Sequence, residues 1–148
     1  MISKTGEYAL RAVLRLAEQD DGETVRANEL ARELGIPSNY LSKILHSLAR
    51  AGVLHSERGP QGGFRLAHRS DELSLADILT PVDPAILDQG CLLGRACCSE
   101  EDPCAVHDQW KRVREPLLRF FEATTVAEAL TGGESSLTTA AHERRSDR

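Results

Sequence analysis

Aromatic side chains are scarce in this 148-residue chain, at 4% of the sequence. Hydrophobic residues make up 41%, enough for a core. That core must be built from Leu, Val, Ile and Ala, which favours helices with aliphatic stripes over a sandwich of sheets. No stretch approaches the roughly 18 consecutive apolar residues of a membrane-spanning helix. The opening MISKTGEYALRAVLRLAEQ has no long apolar run and no small-residue cleavage site. A cytoplasmic protein with no membrane association is the expectation. Also missing are a nucleotide-phosphate loop, a Rossmann fingerprint and any Ser/His/Asp or paired-carboxylate arrangement, so nothing marks an enzyme. Cysteine is absent outside positions 91 to 104.

Within that window lie Cys91, Cys97, Cys98 and Cys104, in CLLGRACCSEEDPCAVH, with His107 three positions past the last cysteine. The pairs Cys91/Cys97 and Cys98/Cys104 each have five residues between them. Thiolates at such spacings on an irregular loop suit an iron–sulfur cluster. They suit a structural zinc site less well, because zinc favours about two to four residues between paired ligands. A helix starting just after Pro103 would turn Cys104 and His107 to one side. Three alternatives stand beside cluster binding: two disulfides, a thiol switch, or inert cysteines. In a reducing compartment metal binding or redox chemistry leads.

Net charge is −5, which taken whole argues against nucleic acid. Taken in segments it does not. Arg26 to Arg69 holds seven Lys/Arg and three Asp/Glu, a balance of +4, whereas from Asp71 onward eight basic residues face fifteen acidic ones, a balance of −7. Docking on phosphates depends on local potential, and the asymmetry divides the chain near residue 70.

Ala9, Leu10, Val13, Leu14, Leu16 and Ala17 predict a helix from Ser3 to about Gln19, ended by Asp20-Asp21-Gly22. Glu7 lies beside its stripe, a position that a solvated charge ordinarily fills. A second helix is expected from Ala27 to Leu34, stopped by Gly35. Ser38 is expected to cap a third helix from about Asn39 to Ala51, closed by Gly52. Leu41, Ile44, Leu45 and Leu48 would face inward, leaving Asn39, Tyr40, Ser42, Lys43, His46, Ser47 and Arg50 outside. Two short helices joined by a tight turn form a helix-turn-helix, whose second helix enters the major groove. An acid-free face of small polar groups is what phosphates and base edges require.

Residues 53–57 and 64–67 alternate like two strands around RGPQGG, Arg58 to Gly63. A hairpin after a helix-turn-helix makes a winged helix. Arg58, Gly59, Pro60, Gln61 and Gly62 form its tip, where Arg58 can reach a phosphate or a narrow minor groove. The expected DNA-contacting set is therefore Ser38, Asn39, Tyr40, Ser42, Lys43 and His46 with this tip. Past a polar linker at 68–72, Ser74 is expected to cap a short helix through Thr80, closed by Pro81 and Pro84. Val106, Trp110, Val113, Leu117, Phe120 and Phe121 predict a long amphipathic helix from about Ala105 to Ala123, with a possible kink at Pro116. Little core remains for it to cover, which points to a partner helix and a homodimer. Thr125 is expected to cap a last turn through Leu130, before a polar tail.

The order of these elements, with EYAL, IPSNYLSKILHSLARAGVL, SERGPQGGFRLA and a cysteine loop ending in PCAVH, resembles the bacterial IscR/NsrR family of winged-helix iron–sulfur regulators over about residues 1 to 131. The fold class expected is mainly α with a small β-hairpin wing. A winged helix-turn-helix DNA-binding domain would occupy 1–70. A short helix, cysteine loop and dimerisation helix would follow over 71–131, and a disordered tail over 132–148. The resemblance implies a homodimeric transcription regulator, a repressor by preference. Its binding to a palindromic double-stranded DNA operator would follow a [2Fe–2S] or [4Fe–4S] cluster that senses redox state, nitric oxide or iron–sulfur status. A clusterless thiol- or zinc-dependent repressor is the alternative, and a small iron–sulfur electron carrier a weaker one.

By the same resemblance, three cysteines hold the cluster. Five residues between the last two select Cys98 with Cys104 beside Cys91, while counting five from Cys91 selects Cys97 in place of Cys98. The fourth ligand is then His107, as in IscR-like members, or Glu7 of the partner subunit, as in NsrR-like ones. Ser42 stands where IscR-type members carry a glutamate that sorts operator classes, so that operator preference does not carry over.

Overall fold

The computed structural model describes residues 2–19, 22–88 and 90–132. The expected tail from 133 onward, and Asp20 and Asp21 at the end of the first helix, lie outside the described residues. Six α-helices and one hairpin are described, in the order α1 (Lys4–Glu18), α2 (Ala27–Leu34), α3 (Ser38–Arg50), β1 (Leu54–Glu57), β2 (Gly63–Leu66), α4 (Leu75–Leu79), α5 (His107–Ala123) and α6 (Val126–Thr131). A 3-10 turn, Pro84–Ile86, lies between α4 and the cysteines. The fold is a winged helix followed by a long helix, as the periodicities predict.

Ser3 caps α1, its hydroxyl accepting from Gly6 N–H at 3.1 Å. From there Gly6, Ala9, Ala12, Val13 and Leu16 form the buried stripe. Its small residues admit other helices closely: a Cβ built on Gly6 would stand 2.7 Å from Asp83 Oδ2 and 3.1 Å from Leu79. α2 ends on Gly35 in the left-handed conformation, φ +66°, as its position predicts.

The start of α3 departs from the expected cap. Pro37, not Ser38, occupies the capping position, and no side chain caps the helix there. The backbone of Pro37 is already extended, and its carbonyl accepts from Leu41 N–H at 3.0 Å. Ser38 is thereby the first helical residue, where a side chain can no longer reach back to the free amides. Its hydroxyl donates instead to Asn28 Oδ1, tying the two helices of the motif together.

The hairpin is antiparallel, pairing Leu54 with Leu66 and Glu57 with Gly63. Val25 adds a third, one-residue edge: its N–H donates to Phe64 O at 2.9 Å and its carbonyl accepts from Phe64 N–H at 2.8 Å. Ser74 and Thr125 cap α4 and α6 as expected, each in a reciprocal capping box, with Asp77 and Glu128. The two caps also pair with each other as an antiparallel bridge. One contiguous core results, running from Ala9 through Leu30, Leu45 and Leu48 to Ile78, Leu79, Phe121 and Val126.

α5 begins two residues later than expected and continues through Pro116. Of its apolar stripe only Phe121 is buried; Val113, Leu117 and Phe120 are 63%, 38% and 53% exposed. Arg114, two helical turns before Phe121 and on the same face, is buried as well, its guanidinium donating to the Asp88 carbonyl.

A Cβ on Gly63 would lie 2.5 Å from the Val25 carbonyl oxygen, a backbone atom that cannot swing aside. Gly63→Ala is therefore expected to destabilise the protein by about 1–3 kcal/mol, the usual range for overpacking. A urea midpoint at fixed protein concentration no lower than that of the wild type would contradict this packing.

Candidate metal centre and nucleic-acid interface

Residues 90–106 carry no fully buried side chain, so polar links rather than a core shape this loop. Gly94, at φ +71°, turns the chain back so that its N–H donates to the Cys91 carbonyl at 2.9 Å. Ser99 Oγ accepts from the N–H groups of Glu101 and Asp102, and Arg95 pairs with Asp102 at 2.6 Å. α5 supplies the outer fastenings. Trp110 Nε1 donates to the Gly90 carbonyl at 3.4 Å, Lys111 pairs with Glu100, and Arg114 holds Asp88.

The result gathers three sulfurs. The Sγ atoms of Cys91, Cys98 and Cys104 all lie within 4.8 Å of one another; Cys97 is exposed and is not one of the group. All four are free thiols, so neither of the two disulfides considered above is formed. Cys91, Cys98 and Cys104 line a pocket of about 400 Å³ together with His107, Trp110 and Lys111. Cys104 and His107 do not share a helix face, because α5 starts at His107 itself and Cys104 sits in the turn before it, joined by His107 N–H to Cys104 O at 3.1 Å. The histidine meets a different cysteine: Nδ1 stands 3.1 Å from Cys98 Sγ. Its Nε2 is buried with no hydrogen-bond partner, the nearest acid, Glu100, lying 3.6 Å away.

The sulfurs are not equivalent. The Arg95 backbone N–H is the main influence drawing the Cys91 thiol down, helped by the Leu93 N–H and the thiols of Cys104 and Cys98, to about 7. At Cys98 the Cys104 backbone N–H is the largest single influence and acts downward. Burial and the thiols of Cys104 and Cys91 outweigh it, and Cys98 ends above the ordinary thiol value. Glu100 lies below the usual carboxylate range because Lys111 bonds it and His107 lies beside it.

Glu7 is half-buried on α1, bonded by Lys4 Nζ at 2.8 Å and flanked by Arg11 at 3.8 Å. Asn39, Lys43 and His46 are exposed along α3, with Ser38 and Ser42 half-buried between them. Besides Ser38, which is bonded to Asn28, two members of this set have other attachments. The Tyr40 hydroxyl meets Thr5 Oγ1 and its ring stands edge-on to Tyr8, with centroids 5.7 Å apart. His46 Nδ1 lies 2.7 Å from the carbonyl of Ser42, and its ring stands edge-on to Phe64 at 5.2 Å. Arg58, Gly59, Pro60 and Gln61 are exposed and Gly62 half-buried at the wing tip, with Gly59 at φ +103°. Sequence reasoning missed three residues that shape these sites: Arg114 under the cysteine loop, and Thr24 and Arg26 beside the wing.

A family model described as Rrf2, iron-dependent transcriptional regulator, matches residues 2–132. The chain belongs to the Rrf2 family. It is accordingly a transcriptional regulator rather than an enzyme, in a family whose members bind DNA. A putative HTH-type transcriptional regulator of Aquifex aeolicus is 35% identical over 139 residues, covering 93% of this chain and 96% of the relative. The HTH-type transcriptional regulator IscR of Vibrio atlanticus is 27% identical over 133 residues, covering 90% and 76%. In fold the chain is similar to CymR, the global cysteine regulator of B. subtilis, with a TM-score of 0.76 at 23% identity, covering 90% of this chain and 98% of that one. No helix among the described residues is long and apolar enough to cross a membrane.

A lowered thiol is thiolate, and nucleophilic, at lower pH. In metal-free protein, alkylation of Cys91 by iodoacetamide is therefore expected to rise through a midpoint near 7, with Cys98 lagging at every neutral pH. Peptide mass spectrometry after timed alkylation reads both; Cys98 reacting ahead of Cys91 would contradict the order.

Proposed function

We propose that this Rrf2 regulator binds a palindromic operator as a homodimer, acting as a repressor whose affinity is set by an iron–sulfur cluster on Cys91, Cys98 and Cys104. Convergence of these three sulfurs, out of four, within 4.8 Å carries the reading. The donor set fits such a group: soft thiolates, backbone N–H groups of Arg95, Leu93 and Cys104 aimed at sulfur, and a buried imidazole nitrogen that nothing satisfies. His107 is the fourth ligand favoured by position, 3.1 Å from Cys98; Glu7 of the partner subunit is its rival. When bound, the cluster supplies a centre that oxidants and nitric oxide attack. The chain's own part is to present the thiolates on a loop fastened to α5 by Trp110 and Arg114.

In this reading residues 1–70 contact DNA, with the polar face of α3 in the major groove and the wing tip alongside, while 71–131 sense and dimerise. The exposed row Val113, Leu117 and Phe120 supports a partner helix on α5. A second reading, a thiol-based regulator with no cluster, draws support from the low thiol of Cys91 and from likeness in fold to CymR.

The two readings part at the bench. Anaerobically purified protein is expected to be brown, and iron and sulfide counts then give the cluster type; colourless protein with free thiols would favour the second reading. Cys98→Ser is expected to lose iron and Cys97→Ser to keep it. Of Glu7→Ala and His107→Ala, the variant that loses more iron names the fourth ligand. On a duplex selected from a random pool, holo and apo protein are expected to differ at least about fivefold in affinity, the low end of allosteric coupling. Arg58→Ala should weaken binding by roughly 1–3 kcal/mol. Equal affinity of holo and apo protein at matched salt would remove the cluster from control of DNA.

A further inference from the structure

The backbone of Arg26 occupies the capping position of α2, where small polar side chains normally satisfy the free amides, and its side chain makes no cap. It extends instead to the wing, where the guanidinium donates to the Pro60 carbonyl. Two residues earlier the Thr24 hydroxyl donates to the next carbonyl, Gln61 O, at 2.9 Å. Val25 between them pairs with Phe64 through both its N–H and its carbonyl. Three consecutive residues thus grip the wing at its tip and along β2. The grip needs Gly63, where a Cβ would lie 2.5 Å from the Val25 carbonyl, while the hairpin's own turn needs Gly62, where one would lie 2.4 Å from the Glu57 carbonyl. On its other side the wing touches α3, where the ring of His46 stands edge-on to Phe64. Breaking a local capping preference is what a chain does where the side chain has work elsewhere.

We propose that Thr24 and Arg26 are positioning residues of the DNA interface, latching the wing tip by the carbonyls of Pro60 and Gln61 so that Arg58 is held at a set distance from α3. A free hairpin tip would have to be ordered on binding, an entropic cost that a preformed tip avoids. The latch takes up two carbonyls and so leaves the Arg58 side chain, unpaired among the described residues, as the tip's charged group facing out. This inference rests on DNA binding by the family and is independent of what the cysteines hold.

Positioning is distinguished from direct contact by a double-mutant cycle. Full-length wild type, Arg26→Ala, Thr24→Val, Arg58→Ala and the Arg26/Arg58 double variant would be compared in one cofactor state, checked by absorbance. The probe is a duplex selected by the wild-type protein, at full length and trimmed of the flanks that the wing reaches. Arg26→Ala is expected to lose about tenfold on the full duplex, with Thr24→Val losing less and hydroxyl-radical protection fading only at the flanks. The double variant should be within about twofold of Arg58→Ala, and on the trimmed duplex Arg26→Ala should match the wild type. Losses that multiply in the double variant, or persist on the trimmed duplex, would make Arg26 a DNA contact in its own right. Unchanged binding by both Arg26→Ala and Thr24→Val, with urea midpoints like the wild type's, would likewise overturn the latch.

Discussion

The small-residue face of α1 is the constraint on which the rest of the architecture depends. Gly6, Ala9 and Ala12 leave room for neighbouring elements to approach on more than one side, and Val13 and Leu16 complete the seam with aliphatic bulk. Asp83, at the turn that leads into the cysteine segment, reaches Ser3 N–H at 2.8 Å across the gap that Gly6 leaves open. Tyr40 of α3 meets Thr5 in the same first turn. A single helix turn therefore touches both the chain that enters the sulfur loop and the second helix of the helix-turn-helix. With one contiguous core behind them, a shift of α1 has no slack in which to be absorbed.

The sulfur loop is built on the opposite principle. Its side chains are exposed or half-buried, and its shape depends on ion pairs such as Arg95–Asp102 and on Arg114 and Trp110 reaching from α5. Exposed ion pairs contribute about 0–1 kcal/mol each, so this loop lies at the low-stability end of the molecule. A segment of that kind suits ligand control, since anything that binds its thiolates contributes a large share of its local order.

Most of the fold was legible because its signals are local. Aliphatic spacing marked the first five helices, glycine marked the stop of α2, and Ser74 and Thr125 announced their capping boxes, Thr125 alone marking α6. Ser38 misled because Pro37 also offers an extended backbone at that place, and the hydroxyl found Asn28 instead. The start of α5 was set by a turn through Cys104 that spacing does not encode. At the sites, the convergence of Cys91, Cys98 and Cys104 and the exposure of Cys97 match the five-residue spacing of the last pair. The meeting of His107 with Cys98, and the buried Arg114, depend on how a coreless loop folds back on a helix, which no period in the sequence records. Arg26 left one trace, a charged residue where a cap belongs.

The bridge between Ser74 and Thr125 has a consequence for descent rather than for energy. The chain departs from that point into α4, the sulfur loop and α5, and returns to the same point before α6. An excursion that starts and finishes at one clasp can be lengthened or shortened with little penalty, since closure entropy grows only with the logarithm of length. The stretch from 90 to 106, which contributes no buried side chain, is thus the part that lineages sharing this scaffold are freest to rewrite. One winged-helix body can pass from ancestor to descendant while the loop it carries is exchanged, cysteine by cysteine.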